Sequence, residues 1–129
     1  MESASVSAVL FVKDLQRLAA FYSQALGMTC TVSDEHHSVL KCRGFSLIVH
    51  QIPKQIADAI TLQQPPERRV DGALRLNFPV QSIEDTRRAA RSLGGEIDDD
   101  PPGWAGPKAN DFFGYDPEGN VFMVSQDAC

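Results

Sequence analysis

The stretch SVSAVLFVKDLQRLAAFYSQALGMTCTV, residues 5–32, decides the fold. Residues 5–12 are a β-prone run with alternating side chains. Asp14 stands where a helix N-cap is needed. Leu15, Leu18, Tyr22 and Ala25 follow at helical spacing, and Gly27 closes the helix. A second stretch, GALRLNFPVQSIEDTRRAARSLGGEI at residues 72–97, repeats the plan. An apolar run at 73–80 leads into Ser82-Ile83-Glu84-Asp85, a capping box with Asp in place of Glu or Gln. Ala89, Ala90 and Leu93 supply the apolar stripe, and Gly94-Gly95 ends it. The Leu26-Gly27 and Leu93-Gly94 endings mark a repeat of about 65–70 residues.

Each half then becomes β-rich. Strands are expected at 28–33, 38–43 and 45–51, broken at residues 34–37 and at Gly44. In the second half, a short strand is expected near Glu96, with others at 110–115 and 120–126. The last is introduced by YDPEGNVFMV, residues 115–124, in which Asp116, Pro117 and Gly119-Asn120 make a turn. The order is βαβββ, twice. Residues 52–71, with Pro53 and QQPPERR, read as a linker carrying one short helix at 54–59. The expected organisation is a single domain over 1–129. Module one covers about 5–51 and module two about 72–127. The fold class is α+β: two βαβββ modules whose helices cover one face of a curved mixed sheet, with a cleft on the other.

Composition narrows the function. The chain has 129 residues, 43% of them hydrophobic, enough for a real core. No apolar run of about 18 residues occurs, so no membrane span is expected. A net charge of −5 and the lack of a basic stripe argue against a nucleic-acid partner. The opening residues lack a basic leader and cleavage site, so the expected location is the cytoplasm. Three cysteines without a leader argue against a disulfide framework, and Cys30 and Cys42 read as small buried hydrophobes. No CxxC or CxxH spacing supports a structural zinc, and the absence of GxGxxG gives no support for a dinucleotide cofactor. Arg87, Arg88 and Arg91 read as a solvated helix face balanced by Glu84 and Asp85.

Three motifs carry a resemblance: VKDLQRLAAFYSQALGM (12–28), SIEDTRRAARSLGG (82–95) and DPEGNVFMV (116–124). They resemble the glyoxalase/bleomycin-resistance/dioxygenase group, the vicinal oxygen chelate superfamily, and span nearly the whole chain. The resemblance implies paired modules, a cleft between them and a homodimer. Many metal-dependent members place four ligands in that cleft. The corresponding places here are Ser7, Ile48, Arg75 and Met123. These are no ligands for a hard divalent ion, and a permanently charged guanidinium repels one. This departure from the family's pattern leads to the expectation of a protein without metal or other cofactor at this place.

Strand alternation then names the cleft-facing residues. Val9 and Phe11 share a face with Ser7, Ile48 with His50, Asn77 with Arg75, and Ser125 with Met123. Phe113 falls on the cleft side and Phe112 on the helix side. The expected ligand site is Phe11, Ile48, His50, Arg75, Asn77, Trp104, Phe113 and Met123, with no catalytic residue assigned. Arg75 either clamps an anion or pairs with an internal carboxylate, Glu96 or Asp111. The argument for its position is that Leu74, Leu76 and Phe78 pack on the helices, which sends Arg75 and Asn77 to the cleft beside His50 or Met123. His50 is a base or donor, or a structural strand residue. His36 and His37 read as a solvated turn with no metal-binding partner. The loop at 98–110 reads as a lid, whose Trp104 either stacks on a ligand or plugs its own loop.

The expected function is metal-independent binding of a small organic molecule, anionic or aromatic, in the cleft, as in drug-sequestering resistance proteins. The alternative is a lyase, isomerase or dioxygenase with a displaced or atypical site. A third reading is a structural or regulatory dimer with a vestigial pocket.

Overall fold

The computed structural model describes residues 6–104 and 110–126. Eight strands and three helices run in the order β1 (Ser7–Val12), α1 (Leu15–Gln24), β2 (Thr29–Ser33), β3 (His37–Cys42), β4 (Phe45–Gln51), α2 (Lys54–Ala57), β5 (Asn77–Val80), α3 (Ile83–Ser92), β6 (Glu96–Ile97), β7 (Asp111–Tyr115) and β8 (Val121–Gln126). The two βαβββ modules are therefore present. Asp14 caps α1 by accepting the Arg17 N–H at 3.3 Å, and Ser82 Oγ caps α3 by accepting the Asp85 N–H at 3.2 Å. Each cap satisfies a helix N–H that has no partner within the helix.

The strands hydrogen-bond as two four-stranded sheets, ordered β1-β4-β3-β2 and β5-β8-β7-β6. In each, the first and last strands of the module pair in parallel and the remaining pairs are antiparallel. The mixed sheet is thus built in two halves, one per module. One face of each half meets the helices. Val12, Leu40, Leu47 and Val49 from the first and Phe78, Phe122 and Val124 from the second join Leu18, Phe21, Tyr22 and Ala90 in one buried cluster. Helix α1 serves both halves. The Tyr22 ring lies 5.7 Å from Phe78 and 6.0 Å from Phe122, and Phe21 lies 5.9 Å from Phe122. The end of α3 presses on α1 so closely that a Cβ at Gly95 would collide with the Phe21 ring.

A polar latch accompanies this apolar contact. The Asp116 carboxylate accepts from Tyr22 Oη at 2.7 Å, from the Glu118 N–H at 2.9 Å and from the Asn120 N–H at 3.0 Å. The Glu118 carboxylate accepts the N–H groups of Lys13 and Asp14, both at 2.8 Å, at the entrance to α1. Gly119 makes the turn possible. Its φ is 85°, and a Cβ would collide with the Glu67 carbonyl oxygen. The DPEGN turn thus joins the second module to the first helix of the other module.

Several expectations change. β5 begins at Asn77 rather than 73, because residues 72–76 form a loop held by Arg75. Leu74 is 76% exposed and does not pack on the helices, whereas Leu76 and Phe78 do. Arg87 is buried rather than solvated. It pairs with Glu84 at 2.8 Å, donates to the Asp98 carbonyl at 2.8 Å and lies over Phe112. Cys30 is exposed and free, because its strand β2 is the outer edge of its sheet. Cys42 is buried and disulfide-bonded, against the reading of the cysteines as unpaired.

Candidate functional site

Each sheet half keeps one face free of the helices, and the expected site residues divide between these two faces. On the first module, strand register aligns the side chains in rows. Phe11 stands beside His50, which stands opposite His37. The ring centroids are 5.5 Å apart for Phe11–His50 and 6.2 Å apart for His37–His50. The next row is apolar: Val9, Ile48 and Val39. Phe11 is 61% exposed, unusual for so large an apolar side chain on a sheet face.

On the second module, Asn77, Met123 and Phe113 form the matching row. Trp104 comes from the loop between β6 and β7 and meets Phe113 edge-on, at 6.4 Å between centroids. Trp104 is 70% exposed. The rest of that loop, 105–109, lies outside the described residues. Phe112 packs against the core and Phe113 does not, as alternation requires.

Beside this row is a polar group that the sequence reading did not assemble. Ser125 Oγ donates a short hydrogen bond to Asp111 Oδ1 and also lies 3.0 Å from Asn77 Oδ1. One hydroxyl carries one proton, so it satisfies one of these acceptors at a time. The other remains available to an incoming N–H or O–H. Only the pairing of β5, β8 and β7 brings the three together, so their sequence spacing gave no signal.

Arg75 is not where the sequence reading put it. Its guanidinium donates to the carbonyls of Gly72, Leu74 (3.1 Å) and Val70 (2.8 Å), and so ties its own loop. Neither proposed carboxylate partner reaches it. Glu96 accepts from Arg91 at 2.6 Å and Asp111 is bonded to Ser125. Arg75 instead lines a mostly apolar cavity of about 230 Å³ between β1 and the approach to β5, with Val9, Leu10, Leu76 and Phe78. None of the other seven expected site residues lines this cavity.

The four places at which the resemblance implies metal ligands are not set opposite one another by the strand register. Ser7 stands opposite Ser46, not Ile48, and Met123 opposite Asn77, not Arg75. One hydroxyl, an alkyl chain, a guanidinium already bonded to three carbonyls and a thioether are a poor ligand set for a hard divalent ion. Two groups with shifted pKa values lie elsewhere, in the latch. Burial raises the Tyr22 hydroxyl pKa well above its ordinary value, with Asp116 adding to it, so Tyr22 stays a donor. Burial also raises the Asp116 carboxyl, against the hydrogen bonds that lower it. Both groups are in the core, so their role is structural.

Among the described residues, no ring contact joins the two free faces. Phe11–His50 and His37–His50 lie within the first module and Trp104–Phe113 within the second. No described helix is long and apolar enough to cross a membrane.

No curated protein matches the chain. Among solved structures, the fosfomycin resistance protein FosX from Listeria monocytogenes is 19% identical over 99% of this chain and 94% of its own, with a TM-score of 0.65. An integron cassette protein from the mobile metagenome of V. cholerae is 23% identical over 97% and 95%, with a TM-score of 0.60. A glyoxalase/bleomycin resistance protein from Albidiferax ferrireducens T118 is 19% identical over 95% and 98%, with a TM-score of 0.62. At these identities they speak for the fold. The family model for the glyoxalase-like domain matches residues 7–125, and the chain therefore belongs to that family.

Proposed function

We propose that this protein binds a small, partly aromatic organic molecule on the free faces of its sheets, without a metal at the family's ligand positions. The carrying observation is the exposed aromatic row of each module: Phe11 beside His50 on one, Phe113 beside Met123 and Trp104 on the other. Apolar walls with a few hydrogen-bonding groups are the usual make-up of a small-molecule site. Ile48 adds to the first wall. Asn77, with Ser125 and Asp111, supplies the polar contact, and so favours a ligand carrying a hydrogen-bond donor. Arg75 drops out of the ligand set, because three carbonyls already occupy its guanidinium. The similarity in fold to a fosfomycin resistance protein supports a role in handling a foreign small molecule.

In this reading a homodimer completes the site. Among the described residues the two free faces of one chain share no ring contact, and large apolar side chains on the first are bare. A second copy laid across them encloses a cleft with one wall from each chain. The enzyme alternative finds its best support in the Ser125–Asp111 bond, a hydroxyl set against a carboxylate.

Anilinonaphthalene sulfonate, an aromatic probe, tests the reading. Titrated into EDTA-treated protein, it should saturate at a fixed stoichiometry, and Phe11→Ala and Phe113→Ala should each weaken it about tenfold. Non-saturating binding, or affinity unchanged in both variants, would contradict the proposal.

A further inference from the structure

The His37–His50 pair has features that ligand binding by the aromatic rows does not require. The two residues stand directly opposite on antiparallel β3 and β4. Gln51 N–H donates to the His36 carbonyl at 2.8 Å, which makes residues 36 and 51 a hydrogen-bonded pair. Residues 37 and 50 are then a non-hydrogen-bonded pair, the closest side-chain approach that a ladder offers. Their rings are nearly parallel, 23° apart in plane.

Both imidazoles are also oriented from behind. His37 Nδ1 lies 3.1 Å from Asp34 Oδ1, and His50 Nδ1 lies 2.9 Å from the Gln51 carbonyl oxygen. The His50 acceptor is a carbonyl, which can only receive, so Nδ1 carries the proton and Nε2 keeps its lone pair. The Asp34 carboxylate accepts the backbone N–H groups of His36 and His37, at 2.8 and 2.9 Å. Its contact with His37 Nδ1 fixes that ring in the same tautomer. A carboxylate on one histidine and a backbone carbonyl on the other are the outer partners that metal-binding histidines commonly have.

We propose that His37 and His50 form a two-imidazole site for a borderline divalent transition-metal ion, such as Ni²⁺, Cu²⁺ or Zn²⁺, on the free face of the first module. Imidazole nitrogens suit these ions better than they suit Mg²⁺ or Ca²⁺, which take oxygen donors. The strands hold the pair at the short cross-strand range of a non-hydrogen-bonded position. Among the described residues no group of three or more ligating side chains surrounds such an ion. Its remaining positions are open to water or to a ligand on the same face, and binding is correspondingly exchangeable. The site is separate from Ser7, Ile48, Arg75 and Met123, and it does not depend on the proposed ligand function.

The test is Ni²⁺ titration by calorimetry of the full chain, freed of metal beforehand. One Ni²⁺ per chain is expected. His37→Gln and His50→Gln should each weaken it about a hundredfold, since losing one arm of a chelate removes the intramolecular second contact. His36→Gln and Cys30→Ser should leave it unchanged. Unaltered affinity in either His37 or His50 variant, or an equal loss in His36→Gln, overturns the proposal. Cu²⁺ electron paramagnetic resonance on the unsubstituted protein guards against misfolded variants. Coupling to two imidazole nitrogens supports the pair, and coupling to one or none overturns it.

Discussion

The Tyr22 hydroxyl donates a 2.7 Å hydrogen bond to Asp116 across 94 positions of sequence, joining the first helix of one module to the last turn of the other. Both groups are buried, and Asp116 is fully so. Tyr22→Phe keeps the ring among Phe78 and Phe122 and removes only the donor. Leaving a buried carboxylate short of a partner should lower unfolding free energy by about 1–3 kcal/mol. Urea unfolding followed by circular dichroism measures it. A variant as stable as the wild type would show that the bond contributes nothing net.

Glu118 is the second half of the latch. Glu118→Ala strips the partners from the Lys13 and Asp14 N–H groups at the entrance to α1. A loss of about 1–3 kcal/mol is expected, with Glu118→Gln losing less because its carbonyl oxygen still accepts. Equal losses in the two variants would point to steric rather than hydrogen-bonding damage.

Asp116 gives a pH dependence of defined sign. Its folded-state pKa is raised, with burial the main cause. The folded chain therefore holds this proton to higher pH than the unfolded chain does. The stability tied to this group is fully present below the ordinary carboxylate pKa and is lost as pH rises through the raised value. The stability difference between wild type and Asp116→Asn should shrink across that window. A difference that grows with pH would mean that the hydrogen bonds outweigh burial.

Arg75 separates a loop tie from an anion clamp. Arg75→Ala should cost about 1 kcal/mol of stability through lost carbonyl contacts at an exposed loop. Affinity for anilinonaphthalene sulfonate should stay within about twofold. A tenfold loss would restore the clamp.

The proposed dimer is open to the same kind of test. Phe11→Glu places a charge on the bare face and should yield monomers with unchanged circular dichroism. Sedimentation equilibrium at micromolar concentration decides, and a wild-type chain that is wholly monomeric would end the idea.

The fold was legible because its signals are local. Asp14 and Ser82 announce caps, the apolar stripes run at helical spacing, and DPEGN needs a turn whatever surrounds it. The site was less legible because it depends on register and on loop geometry. Residues 72–76 alternate like a strand, yet Arg75 finds carbonyls in its own loop and ends the strand early. His37 looked like part of a solvated turn. It opens β3 instead, and only hairpin register sets it against His50. Asp111, Ser125 and Asn77 meet across three strands that are far apart in sequence. Glu118 gave no hint of its reach to α1, since a capping side chain 104 residues away leaves no pattern.

The central claim is that the free faces, and not the cavity between β1 and β5, take the ligand. Amide chemical-shift mapping of ¹⁵N-labelled protein with anilinonaphthalene sulfonate tests it most directly. The account predicts shifts centred on Phe11, Ile48, His50, Asn77, Phe113 and Met123. Shifts confined to Leu10, Leu76 and Phe78 around the cavity would contradict it.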